Sequence, residues 1–294
     1  MVSGVEEARR AVREQIGHRA DLIKVYADWN HPTLTVDEIR VIVEEAHKQG
    51  LKVAAHATTP DGIKNAVTAG ADSIEHGHGI DRADLELMKS KGTFLVPTVG
   101  VIDGIVERRK NDPLTPEQQK HFDAFLQGIQ QEVQMAMSLG VKIVAGFDAA
   151  EAEGQAKNAN EPVSLTKRGM PPLEAIRAAT TTAAELMGWE DKVGALEPGH
   201  YADVIAVEGD PLTEISQLRH VQFVMKGGTV VKTPYHWRSD DRVCTAAEER
   251  PRAALRAEWE RASAPVRDAP FRTTFPRDFS KTRRLRLTTR NPKP

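Results

Sequence analysis

The chain has 294 residues, of which 40% are hydrophobic and 28% are charged, so it can bury a core and is not expected to be disordered throughout. No apolar run reaches the roughly 18 residues of a membrane helix, so we expect no membrane contact. A lone cysteine, Cys244, excludes an internal disulfide, so we expect a cytoplasmic protein. The formal net charge of −2 is unevenly distributed, because residues 236–294 contain 15 Lys or Arg and only 8 Asp or Glu.

In the first half of the chain, amphipathic helices alternate with short apolar strands. Thr35 with Glu38 forms a capping box, Asp81 is a helix cap, and Thr115 precedes a proline at the first helical position. Each helix ends at a glycine, and a strand begins two or three residues later. The alternation predicts an α/β fold with five parallel strands between Leu22 and Gly146. The glycines that end these helices are Gly50, Gly70, Gly92 and Gly140.

The pattern changes in the last third of the chain. A helix is predicted over residues 172–187, and Gly188 ends it. An apolar strand and then a hairpin over residues 221–231 follow, so we expect residues 189–235 to form a small β segment. Residues 236–294 combine basic residues and prolines with little apolar periodicity. We expect a disordered basic tail there, and no nucleic-acid site.

Chemically useful side chains lie at corresponding places on four predicted strands. Lys24 lies on the first strand, and His56 and His76 end the second and third. Asp148 ends the fifth strand. Functional groups cluster at the carboxyl ends of parallel strands, and imidazole with carboxylate suits zinc or a similar divalent ion. The sequence therefore predicts a metal site. His78 is left outside this set, because the glycines on both sides of it indicate a turn.

Lys24 needs an explanation of its own, because its neighbours Ile23 and Val25 are apolar and a buried ammonium group is costly. Two chemistries suit such a lysine. It can act as a Schiff-base nucleophile, or it can react with carbon dioxide to give an anion that bridges two metals. Tyr26 follows Lys24 by two residues, and both substrate contact and core packing fit that position.

Seven short motifs occur in order along the chain. They are Ile23-Lys24-Val25-Tyr26, Ala55-His56-Ala57-Thr58, Ile74-Glu75-His76-Gly77, Gly146-Phe147-Asp148-Ala149, the segment from Gly169 to Thr180, the segment from Gly194 to Val204, and Val224-Met225-Lys226-Gly227-Gly228. As an ordered set they resemble the amidohydrolase superfamily, in its imidazolonepropionase-like and Xaa-Pro dipeptidase-like branch. The resemblance covers about residues 3–233.

The resemblance implies a (β/α)8 TIM barrel joined to a small β-sandwich built from both chain ends. In that family the carboxylated lysine lies on barrel strand four, the two histidines on strands five and six, and the aspartate on strand eight. Residues 1–188 are then a partial barrel of strands four to eight, and residues 189–235 are a remnant of the composite sandwich. Strands one to three and their His-x-His pair have no counterpart before Lys24, so we expect an N-terminally truncated member.

The resemblance also implies a site chemistry. Lys24 carries the carbon dioxide adduct and bridges two divalent metals such as zinc, and His56 and His76 bind the second metal. Asp148 binds the first metal and acts as general base. The implied activity is hydrolysis of a C–N bond in a small-molecule amide, lactam or dipeptide, and a homo-oligomer is compatible with it. Two alternatives stay open: a non-catalytic half-barrel that serves as a partner subunit, and a lyase that uses Lys24 as a Schiff base.

Overall fold

A parallel four-stranded sheet with helices on one face is the main feature of the described residues. The computed structural model describes residues 2–29, 33–110, 114–149 and 154–233. The predicted basic tail, residues 236–294, lies outside the described residues, and Cys244 lies within that tail.

Helices and strands alternate along the described residues up to β4, and two sheets result. The α-helices are α1 (Val5–Gly17), α2 (Val36–His47), α3 (Pro60–Ala69), α4 (Arg82–Lys91), α5 (Val99–Arg109), α6 (Pro116–Leu139), α7 (Asn160–Lys167), α8 (Pro172–Ala178) and α9 (Thr181–Met187). The strands are β1 (Leu22–Tyr26), β2 (Lys52–Ala57), β3 (Ser73–His76), β4 (Phe94–Val96), β5 (Val204–Val207), β6 (Val221–Lys226) and β7 (Thr229–Lys232). A 3-10 helix spans Ile215–Arg219.

The first sheet has the order β1-β2-β3-β4, and all its strands run parallel, so the predicted α/β fold with a parallel sheet is confirmed. Successive side chains of a strand lie on opposite faces. In β1, Ile23 and Val25 are buried under the helices, whereas Lys24 and Tyr26 lie on the other face. We call this second face, which also carries His56, the open face.

The helix-covered face of the sheet forms the main core. Val53 of β2 and Ile74 of β3 are fully buried there, together with Ile39, Ile63 and Leu85 from α2, α3 and α4. Burying a side chain of this size contributes about 1.5–3 kcal/mol, so this apolar layer holds the strands in register. The carboxyl ends of the strands are thereby held at one edge of the sheet.

The predicted helix starts are confirmed. Thr35 and Asp81 each accept a hydrogen bond from the backbone three residues later, in capping boxes that begin α2 and α4. Thr115 does the same for α6, whose first residue is Pro116. Such caps satisfy backbone N–H groups that have no partner inside the helix.

Two predicted elements differ in the structure. The fifth strand is a single parallel bridge between Leu95 and Ile143, because Ala145 donates its backbone N–H to the carbonyl of Ala178 instead of extending the sheet. The helix predicted over residues 172–187 is divided into α8 and α9 at Thr180, which has a φ of −132°.

The second sheet is antiparallel, with the order β5-β6-β7. The predicted hairpin is confirmed, and Gly227 and Gly228 both have a positive φ in its turn, which favours glycine at both positions. Within the described residues, the helices lack the combination of length and apolarity that crossing a bilayer requires.

Candidate functional site

The four residues predicted from strand positions come together on the open face. The ring centroids of His56 and His76 are 4.7 Å apart, and the rings meet edge to face. Burial lowers the pKa of Lys24, His56 and His76; the charge of Lys24 adds to this effect at both histidines, and the charge of Asp148 opposes it at all three groups. All four groups are therefore within electrostatic range of one another. That they bind a metal stays a prediction.

His76 reaches the open face through an unusual backbone conformation. Its register partner is Ala57, whose side chain is buried on the helix-covered face, so strict alternation places His76 on that face too. Instead His76 has a φ of 68°, and its ring lies against His56. Thr98 and Asp148 also have a positive φ, each of 52°. Backbone strain in non-glycine residues concentrates at functional sites, and three of the five described cases lie here.

Both histidines are held in the neutral form. Burial lowers the pKa of His56, and the nearby charge of Lys24 adds to the effect, although Asp28 opposes it. Burial lowers the pKa of His76 to about 4, with further contributions from His56 and His78. A neutral imidazole has a free ring nitrogen, which is the form that binds divalent metals.

Lys24 is within electrostatic range of a half-buried carboxyl group, that of Glu75. Neighbouring protein atoms withdraw its ammonium group from water and lower its pKa, although the side chain keeps solvent-accessible surface on the open face. The carboxylates of Glu75 and Asp148 oppose this effect. Burial raises the pKa of Glu75, whose carboxylate accepts a 2.6 Å hydrogen bond from the Ser73 hydroxyl. A lowered lysine pKa increases the fraction of neutral amine, the nucleophilic form.

Asp28 anchors the loop between β2 and α3 beneath His56. Its side chain is completely buried, at 0% exposure, and both its oxygens accept hydrogen bonds from the backbone and hydroxyl groups of Thr58 and Thr59. One oxygen also lies 3.8 Å from Nε2 of His56. Gly62 leaves room for this carboxylate, because a Cβ there would lie 2.0 Å from Oδ2 of Asp28.

Aromatic side chains border the two histidines. Tyr26 and Trp29 are 51% and 62% exposed, and the Trp29 ring stacks on His56 at 5.4 Å between centroids. On the other side, Phe125 of α6 meets the ring of His78 at 5.3 Å. Tyr26 therefore does not pack in the core; it lies 4.8 Å from His56 between ring centroids, at the mouth of the site.

The sequence analysis missed four polar residues around the site, namely Asp28, Glu75, Thr98 and Glu161. The positions of Asp28 and Glu75 gave a signal that could have indicated a role at the site, because Asp28 follows β1 and Glu75 directly precedes His76 in β3. Thr98 and Glu161 gave none, since they act through contacts between residues that are distant in the chain.

The donor set available to a metal is small. In the part of the chain that the structure describes, no group of three or more His, Cys, Asp or Glu side chains is arranged to hold a metal ion. His56 and His76 supply two neutral imidazoles. A third donor of the right chemistry requires a carboxylate, either from Asp148 or from a carbon dioxide adduct of Lys24. If one of these carboxylates joins the two imidazoles, the residues present fit a divalent ion.

Comparison with known proteins gives consistent relatives. The profile of the amidohydrolase family matches residues 1–233. Ochratoxinase from Aspergillus niger is 37% identical over 247 residues, which cover 80% of this chain and 51% of that protein. Imidazolonepropionase from Deinococcus deserti is 25% identical over 206 residues, covering 68% of this chain and 45% of that protein.

A solved structure supports the same relationship. A Xaa-Pro dipeptidase with methionine in its active site superposes with a TM-score of 0.71 at 36% identity, covering 79% of this chain and 59% of that one. The chain thus spans about half the length of the curated relatives described above. A family match over residues 1–233, together with these relatives, shows that the chain belongs to the amidohydrolase family.

Proposed function

We propose that the protein is a metal-dependent hydrolase that cleaves an amide-type C–N bond in a small molecule. The observation that carries this proposal is the convergence of two neutral imidazoles, Lys24 and Asp148 on the open face. Family membership supports it, since amidohydrolases generally use divalent metals. The relatives named ochratoxinase, imidazolonepropionase and Xaa-Pro dipeptidase support an amide, a lactam or a dipeptide as the substrate class.

Four residues would hold the metal. His56 and His76 supply ring nitrogens, and Asp148 supplies a carboxylate. Lys24 would contribute as a carbamate, formed when its neutral amine attacks carbon dioxide with formation of an N–C bond and release of a proton; the carbamate would supply oxygen donors. A divalent ion such as zinc, when bound there, lowers the pKa of a water molecule and polarises the scissile carbonyl group.

Asp148 is the residue we assign to proton transfer. It is exposed at the end of the open face, so an attacking water and a substrate can both reach its carboxylate. Asp148 accepts the proton from the water and returns it to the leaving nitrogen; the C–N bond breaks, and an acid and an amine are released. Tyr26 and Trp29 border the space in which the substrate would lie.

The domain organisation that we propose follows from the same assignment. Residues 1–188 form the strand-four to strand-eight part of a TIM barrel, with β1 to β4 and the bridge at Ile143 as its strands. Residues 189–235, which carry β5 to β7, are the remnant of the composite sandwich. The proposed tail, residues 236–294, lies outside the described residues.

The test is metal analysis combined with hydrolysis. The full chain is incubated with zinc and bicarbonate, dialysed and analysed by mass spectrometry for bound metal, and then assayed against N-acyl amino acids, Xaa-Pro dipeptides and lactams. We expect retained zinc and release of an amine. His56→Ala and His76→Ala should each lower zinc to background, whereas His47→Ala, which changes a histidine paired with Asp72, should not. Unchanged zinc content in both site variants would refute the proposal.

One result of this assay and one separate trapping experiment identify the alternatives. Retained zinc without hydrolysis of any compound would favour a non-catalytic half-barrel that acts as a partner subunit. The lowered pKa of Lys24 also suits a Schiff-base lyase. Borohydride trapping of a carbonyl substrate on Lys24, with activity that survives a chelator, would favour the lyase over the hydrolase.

A further inference from the structure

Thr98 connects the strand end of β4 to His76. The Thr98 side chain is 3% exposed, and its Oγ1 lies 2.8 Å from Nδ1 of His76. The backbone of Thr98 has a φ of 52°, a left-handed conformation that is strained for a residue with a Cβ. Such a conformation persists only where surrounding contacts hold it, so the structure needs a group that fixes this turn.

Glu161 is that group. It lies in α7, 62 residues beyond Val99, and its side chain is buried with 1% exposure. Its carboxyl group accepts the backbone N–H of Val99 at 2.9 Å and that of Gly100 at 2.5 Å. These are the first two N–H groups of α5, immediately after Thr98, and they have no partner within the helix.

The fit around this carboxyl group is tight. A Cβ on Gly100 would lie 2.8 Å from Oε2 of Glu161 and 2.8 Å from the ring of Phe147, the residue before Asp148. Gly100, two residues after Thr98, therefore packs closely against both Glu161 and the segment that carries the proposed general base. Thr98, Val99, Gly100 and Glu161 are all buried, so a shift of Glu161 would displace the backbone that carries the Thr98 hydroxyl.

We infer that Glu161 and Thr98 are positioning residues for His76: Glu161 holds the left-handed turn, and the Thr98 hydroxyl accepts the Nδ1 proton of His76, so that the lone pair of Nε2 is directed to the site. The inference rests on the proposed function for what Nε2 then binds. A hydrogen bond at one ring nitrogen fixes the tautomer and the ring orientation of a metal-binding histidine, and its loss lowers metal affinity about 10–100-fold.

A purely structural role for these residues predicts something different. In that case the Thr98 hydroxyl can equally donate to Nδ1, which places the proton on Nε2 and removes the lone pair from the site. The tautomer of His76 in the metal-free chain therefore separates the two roles. It can be read from the two imidazole nitrogen shifts in ¹⁵N NMR, with the His76 signals assigned from their absence in His76→Gln.

The experiment compares the full chain with three threonine variants. Thr98→Val removes the hydroxyl at constant shape, and Thr98→Ser restores it. Thr93→Val is the matched control, because Thr93 is equally buried but donates to the carbonyl of Ala71, at the other end of the sheet. We expect Nδ1–H in the wild type, a mixture of tautomers in Thr98→Val, and the wild-type pattern in Thr98→Ser and Thr93→Val.

Zinc affinity is the second readout. It should fall at least about tenfold in Thr98→Val and in Glu161→Gln, and it should recover in Thr98→Ser. An Nε2–H tautomer in the wild type, or an unchanged tautomer and affinity in Thr98→Val, would overturn the inference. A wild-type chain with Nδ1–H that binds no zinc would refute the proposed function alone, because the tautomer would still support the positioning role.

Discussion

Glu161 gives the protein a stability that depends on pH in a predictable direction. Its carboxyl group is almost completely buried, and this burial raises its pKa from 4.5 to about 8, although the N–H groups of Gly100 and Val99 oppose the shift. In the folded chain the group keeps its proton over a range in which the unfolded chain has already lost it. We therefore expect folding to become less favourable as the pH rises through that range.

The magnitude follows from the two pKa values. The contribution of Glu161 to stability is fully present below pH 4.5 and is lost as the pH rises to about 8. Each unit of pKa difference corresponds to about 1.4 kcal/mol, so the free energy of unfolding should fall by about 5 kcal/mol across this range. This loss is comparable to a large part of the total stability of an ordinary domain.

The assay is equilibrium unfolding in urea at a series of pH values, for the wild type and for Glu161→Gln. Glutamine cannot ionise, so the variant should lack this loss, although it will be less stable at acid pH because it cannot accept both backbone N–H groups. The difference between the two curves from pH 4.5 to 8 isolates Glu161, because His76 and His78, whose pKa values fall to about 4 on folding, are present in both proteins. Parallel curves for the two proteins in this range would refute the reasoning.

Of three further predictions, two concern packing and one concerns the C-terminal tail. Gly62→Ala should destabilise the protein by about 1–3 kcal/mol, since its Cβ would overlap the buried carboxylate of Asp28, whereas Gly104→Ala, in a helix with open space, should be neutral or stabilising; thermal melts of both variants test this. Leu85→Ala should cost about 2–5 kcal/mol in urea unfolding, because Leu85 is fully buried. Deletion of residues 239–294 should leave circular dichroism and metal content unchanged, and a large loss of thermal stability would contradict the predicted disordered tail.

Local signals explain what the sequence predicted correctly. The capping pattern at Thr35 involves residues three apart, so it is visible without any tertiary contact. The same holds for the alternation of strands and helices, which predicted the parallel sheet and placed Lys24 and His56 on neighbouring strands. The convergence of these side chains follows because parallel strands end at one edge.

The features that the sequence did not predict depend on distant contacts. Glu161 has no periodic signal, and its role arises only when α7 packs against the start of α5, 61 residues earlier in the chain. The left-handed backbone of His76 was not predicted either, because the enrichment of histidine in this conformation does not identify a particular residue. The break at Thr180 also needs tertiary structure, because Gly194 packs against its carbonyl oxygen.

The three left-handed residues at the site have a consequence for protein engineering. Glycine adopts this conformation without penalty, so glycine at His76, Thr98 or Asp148 would relieve strain while removing the functional group. A directed-evolution experiment that selects for heat resistance alone would therefore accumulate glycine substitutions at these three positions, and each substitution would remove a functional side chain. Screening such libraries requires catalysis or metal retention as a second criterion, because thermal tolerance by itself would enrich inactive clones.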